Sequence, residues 1–265
     1  MPPSTLLMND GQKAPLSGRL ALVTGGSRGI GEAIARGFVQ AGAHVVIASR
    51  KQANLEAAIP RISPDDPSRV TAVVLHTGRF EALDEQIAQL VSEHGLPDIL
   101  VNNAATNPYF GPMLDVEWAA WDKTFEVNLK GPFALTRALA HRWIEQGVKG
   151  SVLNISSIFG MRAAPLQGVY GMTKACLVSL TRTLAHELGP SGVRVNALAP
   201  GLIVTRFARV LVETDAVREA YETRSALKRV GQPDEIAGMA VHLCSDAAAF
   251  TTGQVIEMDG GYGIA

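Results

Sequence analysis

Tyr170 and Lys174 are the two residues of this chain whose types and spacing most directly suggest chemistry. They are four positions apart at the start of a long helix-like stretch, and residues at that spacing lie on one face of a helix. A nearby cation favours the phenolate, so we expect the ammonium to lower the pKa of the tyrosine. The pair predicts a proton donor that works near neutral pH, although many such pairs are ordinary helix residues.

A glycine-rich turn near the start of the chain is the second signal. The short apolar run Leu20–Thr24 has the length of a strand, glycines at 25, 29 and 31 follow it, and helical periodicity begins directly afterwards. Such a turn lets the backbone approach a pyrophosphate, and the helix N-terminus offers free N–H groups and a positive dipole end. Strand, turn and helix together predict a dinucleotide-binding unit.

Six short stretches occur in an order and spacing that is typical of one family. They are Thr24–Gly31, Asn102-Asn103-Ala104-Ala105, Val127-Asn128-Leu129, Ile155-Ser156-Ser157, the pair Tyr170 and Lys174, and Pro200-Gly201 with Thr205. From about Leu16 to the C-terminus, the chain resembles the classical short-chain dehydrogenase/reductase family. One departure is Ala105, because the asparagine-rich strand end of the family usually finishes in glycine.

The resemblance implies a catalytic group of four residues. Tyr170 would donate a proton to a carbonyl oxygen that receives hydride, and Ser157 would hydrogen-bond and orient the same oxygen. Lys174 would assist Tyr170 and hold the nicotinamide ribose, and Asn128 would anchor a water that connects the lysine to solvent. Taken singly, Ser157 could instead cap a turn, and Asn128 could mark a helix kink.

The resemblance also implies where a nicotinamide dinucleotide would lie. Thr205 would bond the carboxamide together with backbone groups of Ile203, and Asn103 would lie along the ribose. The family often has an aspartate against adenine at the end of its third strand, but this chain has His76, so the adenine contact stays open between His76, Thr77 and backbone groups. The predicted cofactor-binding residues are Gly25, Ser27, Arg28, Gly29, Ile30, Gly31, Ser49, Arg50, His76, Thr77, Asn103, Tyr170, Lys174, Pro200, Gly201, Ile203 and Thr205.

The end of the second predicted strand bears on the choice of cofactor. An NAD-selective unit usually places an acid there to hold the ribose hydroxyls, whereas this chain has Ser49-Arg50-Lys51. Arg50 could hold a 2′-phosphate with two hydrogen bonds, and Arg28 is a second candidate cation. We therefore predict that NADP(H) is preferred and NAD(H) is possible; the alternative is that these are solvated loop charges.

The alternation of strand-like and helix-like runs predicts an α/β fold. Mostly apolar strands such as 44–49 suit a parallel sheet that is covered on both faces. We predict a flexible leader at 1–17 and, at 18–265, a single-domain doubly wound Rossmann fold whose seven-stranded parallel sheet is flanked by helices. The predicted strands are 19–24, 44–49, 69–76, 99–102, 150–156, 193–199 and 254–258, the helices are 29–41, 52–61, 80–94, 118–146, 169–188 and 233–244, and 204–222 is expected to form a mobile helical lid.

Composition excludes several classes of function. The net charge of −1, from 24 basic and 25 acidic residues, gives no electrostatic case for nucleic acid. The six histidines form no metal-ligand pattern, so no metal site is predicted, and no run is apolar enough to span a bilayer. Cys176 and Cys244 lie in apolar helical patterns and indicate reduced core residues of a cytoplasmic protein.

The sequence therefore predicts an NADP(H)-dependent oxidoreductase that acts on CH–OH donors, interconverts a ketone or aldehyde and an alcohol, and is similar to broad carbonyl reductases. The alternative enzyme is a 3-oxoacyl-(acyl-carrier-protein) reductase, and the alternative of another class is a non-catalytic cofactor-binding regulatory protein. The predicted substrate segments are largely apolar, although Arg162, Arg206 and Arg209 could meet an anion. As in most of the family, a homotetramer or homodimer is expected.

Overall fold

Seven strands form one parallel sheet in the computed structural model, which describes residues 13–264. The strands are β1 (Leu20–Thr24), β2 (His44–Ser49), β3 (Val70–Val74), β4 (Ile99–Asn102), β5 (Ser151–Ile155), β6 (Arg194–Pro200) and β7 (Val255–Met258). Their order is β3-β2-β1-β4-β5-β6-β7, with every neighbouring pair parallel. This confirms the predicted doubly wound sheet, whose order reverses beside β1 and leaves a crevice at the carboxyl ends of the strands.

Helices cover both faces of the sheet. They are α1 (Gly29–Gln40), α2 (Gln52–Ile62), α3 (Leu83–His94), α4 (Trp118–Phe125), α5 (Gly131–Gln146), α6 (Gly168–Leu188), α7 (Arg209–Glu213), α8 (Asp215–Arg224) and α9 (Asp234–Cys244). Successive residues of β1 point to opposite faces: Val23 packs in a core cluster with Phe38 and Ile236, and Leu22 packs in a second cluster with Leu139 and Trp143. A strand that is apolar on both sides therefore has a helical layer on each side.

The helix predicted at 118–146 is interrupted, which is a correction to the sequence analysis. A π-helical turn at Glu126–Lys130 separates α4 from α5, and the Gly131 N–H donates to the Glu126 carbonyl. Pro132 has no N–H to pair with the carbonyl four residues earlier, that of Asn128, so a regular helix cannot pass through this point. Turns of this kind are rare and often lie at functional sites.

The predicted start of β3 and the predicted start of the folded domain also change. Strand β3 is shorter than the predicted 69–76, because Arg69 belongs to a 3₁₀ turn that Asp66 caps through the Ser68 N–H. Leu16 is fully buried, and its N–H donates to the Ala41 carbonyl at 2.8 Å. The fold therefore includes residues that we assigned to a leader, and positions 1–12 of that leader lie outside the described residues.

The segment predicted as a helical lid contains α7 and α8, while its mobility remains a prediction. Within 13–264, no helix is long and apolar enough to cross a membrane. The same residues contain no group of three or more His, Cys, Asp or Glu side chains that could hold a metal ion.

Candidate active site

The glycine turn after β1 is shaped so that side chains are excluded from it. Gly25 and Gly29 have φ values of +64° and +58°, in the left-handed region that glycine adopts without strain. A Cβ atom on Gly31 would collide with the Gly25 carbonyl and with the Asn103 side chain. The turn is therefore packed tightly against its own backbone and the Asn103 side chain at the start of α1.

Two side chains brace this turn from outside. Asn103 Nδ2 donates to the Thr24 carbonyl at 2.9 Å, and the Asn103 N–H donates to Thr24 Oγ1 at 3.0 Å. The amide that we expected along the ribose is thus engaged in holding the turn. On the other side, Arg61 Nη2 donates to the Ser27 carbonyl at 3.2 Å and to Glu32 at 2.8 Å. No local pattern marks Arg61 in the sequence, because its partners are about 30 residues away.

One cavity of about 1490 Å³ runs along the carboxyl ends of the strands. It brings together every predicted cofactor residue except Gly31, whose place is behind the turn, and three of the four predicted catalytic residues. Asn128 does not line the cavity. The residues gathered there are Gly25, Ser27, Arg28, Gly29, Ile30, Ser49, Arg50, His76, Thr77, Asn103, Ser157, Tyr170, Lys174, Pro200, Gly201, Ile203 and Thr205.

The end of the cavity beside β2 is cationic. Arg28, Arg50 and Lys51 line it, and among residues 13–264 no Asp or Glu lines any part of the cavity. Within the same range, neither Arg28 nor Arg50 forms an ion pair. Such a surface attracts a polyanion.

The wall between β2 and β3 carries two buried polar atoms without hydrogen-bond partners among the described residues, Ser49 Oγ and His76 Nδ1. Burial and the neighbouring cations Lys123 and Arg50 lower the pKa of His76, which favours the neutral imidazole. A glycine cradle, free cations and unpaired polar atoms together fit a dinucleotide that has phosphate groups at this end.

Lys174 and Tyr170 lie side by side on α6 and are both buried. Lys174 Nζ donates to the Ile155 carbonyl at 2.7 Å and lies 5.5 Å from the centroid of the Tyr170 ring. Burial lowers the pKa of Lys174 to about 7, because the site disfavours the charged ammonium.

The expected lowering of the tyrosine pKa is wrong. Burial raises the pKa of Tyr170 to about 12, and the neighbouring Ser157 hydroxyl acts in the opposite direction but less strongly. The desolvation of the phenolate is the larger of these two effects. At neutral pH the phenol therefore keeps its proton, which is the form that a proton donor requires.

Ser157 and Asn128 both have the structural roles that the sequence allowed, and their catalytic roles remain predictions. Ser157 Oγ accepts a hydrogen bond from the Phe159 N–H at 3.2 Å, as a turn cap does, and its hydroxyl also neighbours the Tyr170 phenol. Asn128 lies in the π-helical turn, and its amide donates to the Thr106 carbonyl at 2.9 Å and to Thr173 Oγ1 at 3.2 Å. Asn128 thus ties the loop after β4 to α6 directly behind the cavity.

Lys174→Met is expected to raise the Tm at pH 7 by roughly 5 °C. Burial lowers the pKa of Lys174 to about 7, whereas an unfolded lysine has a pKa of about 10.4. At pH 7 the unfolded chain therefore binds more protons at this lysine, which destabilises the folded wild type relative to the variant. The hydrogen bond lost at the Ile155 carbonyl offsets part of this gain.

The sign of the pH dependence follows from the same pKa shift. Because the unfolded chain binds more protons, the wild-type free energy of unfolding should rise with pH between about 7 and about 10, and the advantage of the variant should shrink. Scanning calorimetry at both pH values measures this, with Lys149→Met as the matched change at an exposed lysine. A lower Tm for Lys174→Met at pH 7 would contradict the argument.

The three arginines that we considered for an anionic substrate have separate positions. Arg162 pairs with Glu257 and also donates to the Gly263 carbonyl, so its charge is already compensated. Arg209 pairs with Glu213 within α7 and does not line the cavity. Of these three arginines, only Arg206 lines the cavity and forms no ion pair within residues 13–264.

Sequence reasoning missed several residues of the cavity wall. They are Asn54, Lys123, Gln167 and Tyr262. Tyr262 is the notable one, because it lies three residues from the C-terminus and far in sequence from every motif.

Comparisons with known proteins agree with this geometry. A family model described as enoyl-(acyl carrier protein) reductase matches residues 25–263. Dehydrogenase/reductase SDR family member 4 from Bos taurus is 43% identical over 250 residues, which cover 94% of this chain and 89% of that protein. Two solved structures that resemble the chain contain NADP.

The first is a gluconate 5-dehydrogenase from Burkholderia cenocepacia J2315 in complex with NADP and tartrate. It has a TM-score of 0.90 and 33% identity, and the match covers 96% of this chain and 98% of that one. The second is a putative 2-deoxy-d-gluconate 3-dehydrogenase from Agrobacterium tumefaciens with bound NADP. It has a TM-score of 0.88 and 33% identity, and the match covers 96% of this chain and 100% of that one.

Proposed function

The chain belongs to the short-chain dehydrogenase/reductase family, and we propose that it is an NADP(H)-dependent oxidoreductase that interconverts a ketone or aldehyde with an alcohol. One observation carries the proposal: Ser157, Tyr170 and Lys174 line the same cavity as the glycine turn and its free cations. A proton donor and a dinucleotide cradle that share one space are the requirements of carbonyl reduction.

In this proposal each polar group acts on the carbonyl oxygen or on the cofactor. Ser157 donates a hydrogen bond to the oxygen, keeps its own proton and orients the carbonyl. Tyr170, protonated because burial raises its pKa to about 12, delivers the proton as negative charge develops. Lys174 lies beside the phenol and holds the ribose, and Asn128 positions the loop after β4. The bound nicotinamide supplies the hydride.

Three observations support NADP(H) as the preferred cofactor, with NAD(H) as a possible one. Arg28 and Arg50 are free to contact a 2′-phosphate, and among the described residues no acid lines the cavity to hold ribose hydroxyls instead. Similar structures with about one third identity contain NADP. A carboxylate at the end of β2 would repel the phosphate, and this chain has Ser49 there.

The walls beyond Tyr170 favour a hydrophobic or amphipathic carbonyl substrate. Phe207 lies 5.8 Å from the Tyr170 ring between centroids, and further apolar side chains continue the surface. These are Phe110, Phe159, Leu166, Val210, Leu211 and Val217. A polyhydroxylated acid would find few polar partners among them.

A 3-oxoacyl-(acyl-carrier-protein) reductase is the second candidate. The observation that favours it is the pair Arg206 and Arg224 on the cavity wall, both exposed, which would attract an acidic carrier protein. A carrier-bound 3-oxoacyl thioester and a simple aryl ketone, compared at equal NADPH, separate the two. A cofactor-binding regulatory protein without turnover would reduce neither.

We further propose a cytoplasmic homotetramer or homodimer. Phe133 and Ile144 on α5 and Met172 on α6 are large apolar side chains that the single chain leaves exposed, as expected where long helices pair between subunits. Cys176 and Cys244 are free thiols, which suits a reducing compartment. Light scattering measures the assembly.

The direct test is a screen of carbonyl compounds with NADPH and with NADH, followed by the absorbance of the reduced nicotinamide. We expect oxidation of NADPH with aryl or medium-chain alkyl ketones or aldehydes, and a kcat/KM with NADPH at least about tenfold higher than with NADH. The proposal fails if no carbonyl in the panel is reduced although the protein binds NADPH. A higher kcat/KM with NADH would overturn the cofactor assignment alone.

A further inference from the structure

Residues 259–263, directly after β7, form a turn that is closed by side-chain hydrogen bonds. The Asp259 carboxylate accepts hydrogen bonds from the Gly261 N–H at 2.9 Å and the Gly263 N–H at 2.8 Å. Gly260 and Gly261 have φ values of +64° and +78°, which other residues adopt only with strain. The position of Tyr262 between them and Gly263 is therefore fixed by the backbone.

This C-terminal turn, residues 259–263, holds the end of α8. The rings of Tyr221 and Tyr262 stack with centroids 4.7 Å apart and planes 7° from parallel. Tyr221 Oη donates to the Asp259 carbonyl at 2.7 Å. The Arg224 guanidinium lies 4.5 Å from the centroid of the Tyr262 ring. The C-terminal turn is thus held to α8 by three contacts, and the Tyr262 ring makes two of them.

The segment after β5 reaches the same turn from the opposite direction. Arg162 donates to Glu257 and to the Gly263 carbonyl, the latter at 3.0 Å. Arg162 belongs to the segment that begins at Ser157, so the C-terminal turn is tied both to the catalytic segment and to the lid.

Tyr262 lines the part of the cavity that Ile158, Phe159 and Leu202 also line, which we call its substrate half. It packs against an apolar cluster that contains Ile158, Leu202 and Tyr221, with Phe159 at its edge. Ile158 and Phe159 follow Ser157 directly, and Tyr262 lines the cavity with them. The ring therefore closes the wall that a substituent of the carbonyl would meet beyond the serine.

We propose that Tyr262 is a specificity-determining residue, which limits the size of the substituent on the carbonyl by fixing α8 against the C-terminal turn. The inference rests on the proposed function and adds the wall that selects the substrate. We assign Tyr262 no role in proton transfer, because its ring contacts residues of α8 and not Tyr170. Removing the ring enlarges the cavity and releases the end of the lid, whereas removing only the hydroxyl leaves the stack in place.

The experiment compares kcat/KM for 4-phenylacetophenone and acetophenone with NADPH. We expect Tyr262→Ala to raise the ratio of the two values by about tenfold or more over that of the wild type. Tyr262→Phe should leave the ratio within about twofold, since the stacked ring remains. Ile264→Ala is the matched control at a neighbouring side chain that is 90% exposed, and it should leave the ratio unchanged.

Affinity for NADPH, measured by fluorescence, should stay within about twofold in all variants, which shows that the cofactor half is intact. If Tyr262→Ala does not fold, Tyr262→Leu removes the stack while keeping apolar volume and should shift the ratio in the same direction. A folded variant without the ring whose ratio matches the wild type overturns the inference, as does an equal loss for both ketones.

Failure of the proposed function has a different signature. If the wild type reduces neither ketone nor any other carbonyl, calorimetric titration of the two ketones into the NADP⁺ complex still tests the wall. A preference of Tyr262→Ala for the larger ketone, relative to the wild type, supports the inference, and an unchanged preference overturns it.

Discussion

Tyr170→Phe is expected to lower kcat for carbonyl reduction by about 10³-fold, while the affinity for NADPH changes by less than about threefold. The phenol is the acidic group that the cavity offers beside Ser157, and burial raises its pKa to about 12, so it is fully protonated when the reaction needs a donor. Phenylalanine keeps the ring packed against Phe207 and removes only the hydroxyl group that carries the proton. Steady-state kinetics with a fluorescence titration of NADPH measures both quantities.

Tyr109→Phe is the matched control for this variant. Its hydroxyl donates to the Pro112 carbonyl in the loop after β4, and the residue does not line the cavity, so kcat should stay close to that of the wild type. If Tyr170→Phe retains a near-wild-type kcat, the phenol is not the proton donor. An equal loss in both variants would point to damage of the loop rather than to chemistry.

Much of the fold can be predicted because its signals are local. Strand β2 is apolar at consecutive positions and ends at charged residues, which is sufficient to predict a strand that is buried on both faces. The interruption between α4 and α5 also has a local signal, since Pro132 excludes a regular helix at Asn128. The long apolar periodicity around it led us to predict one continuous helix.

Other properties of the site depend on tertiary burial and cannot be obtained from spacing. The four-residue interval correctly places Tyr170 and Lys174 in one cavity, but the direction of both pKa shifts follows from desolvation. The stack of Tyr221 on Tyr262 joins an internal helix to the C-terminal turn, and no motif relates those positions. Motifs therefore predicted which residues meet, and the packing determines their protonation and the shape of the substrate half.

The preference for NADPH is expected to invert when Arg50 becomes acidic. Arg50→Asp removes a free cation beside Ser49 and places a carboxylate where the 2′-phosphate would bind. Loss of a charge-assisted hydrogen bond and the added repulsion should each weaken NADPH by roughly tenfold or more. The carboxylate can instead accept hydrogen bonds from the ribose hydroxyls of NADH. We therefore expect the ratio of kcat/KM for NADPH over NADH to fall by at least about 100-fold.

Arg79→Asp is the matched control, because it distinguishes a direct contact of Arg50 with the 2′-phosphate from a general change in the electrostatic field of the cavity. Arg79 is exposed and does not line the cavity, so the same change of charge should alter the ratio by less than about threefold at physiological salt, where the screening length is about 8 Å. Arg28→Ser combined with Arg50→Asp should lower the ratio further, because the glycine turn then loses the second free cation. Equal effects of Arg50→Asp and Arg79→Asp would contradict a phosphate contact at the end of β2. The absence of an acid at that position would then not explain the choice of cofactor.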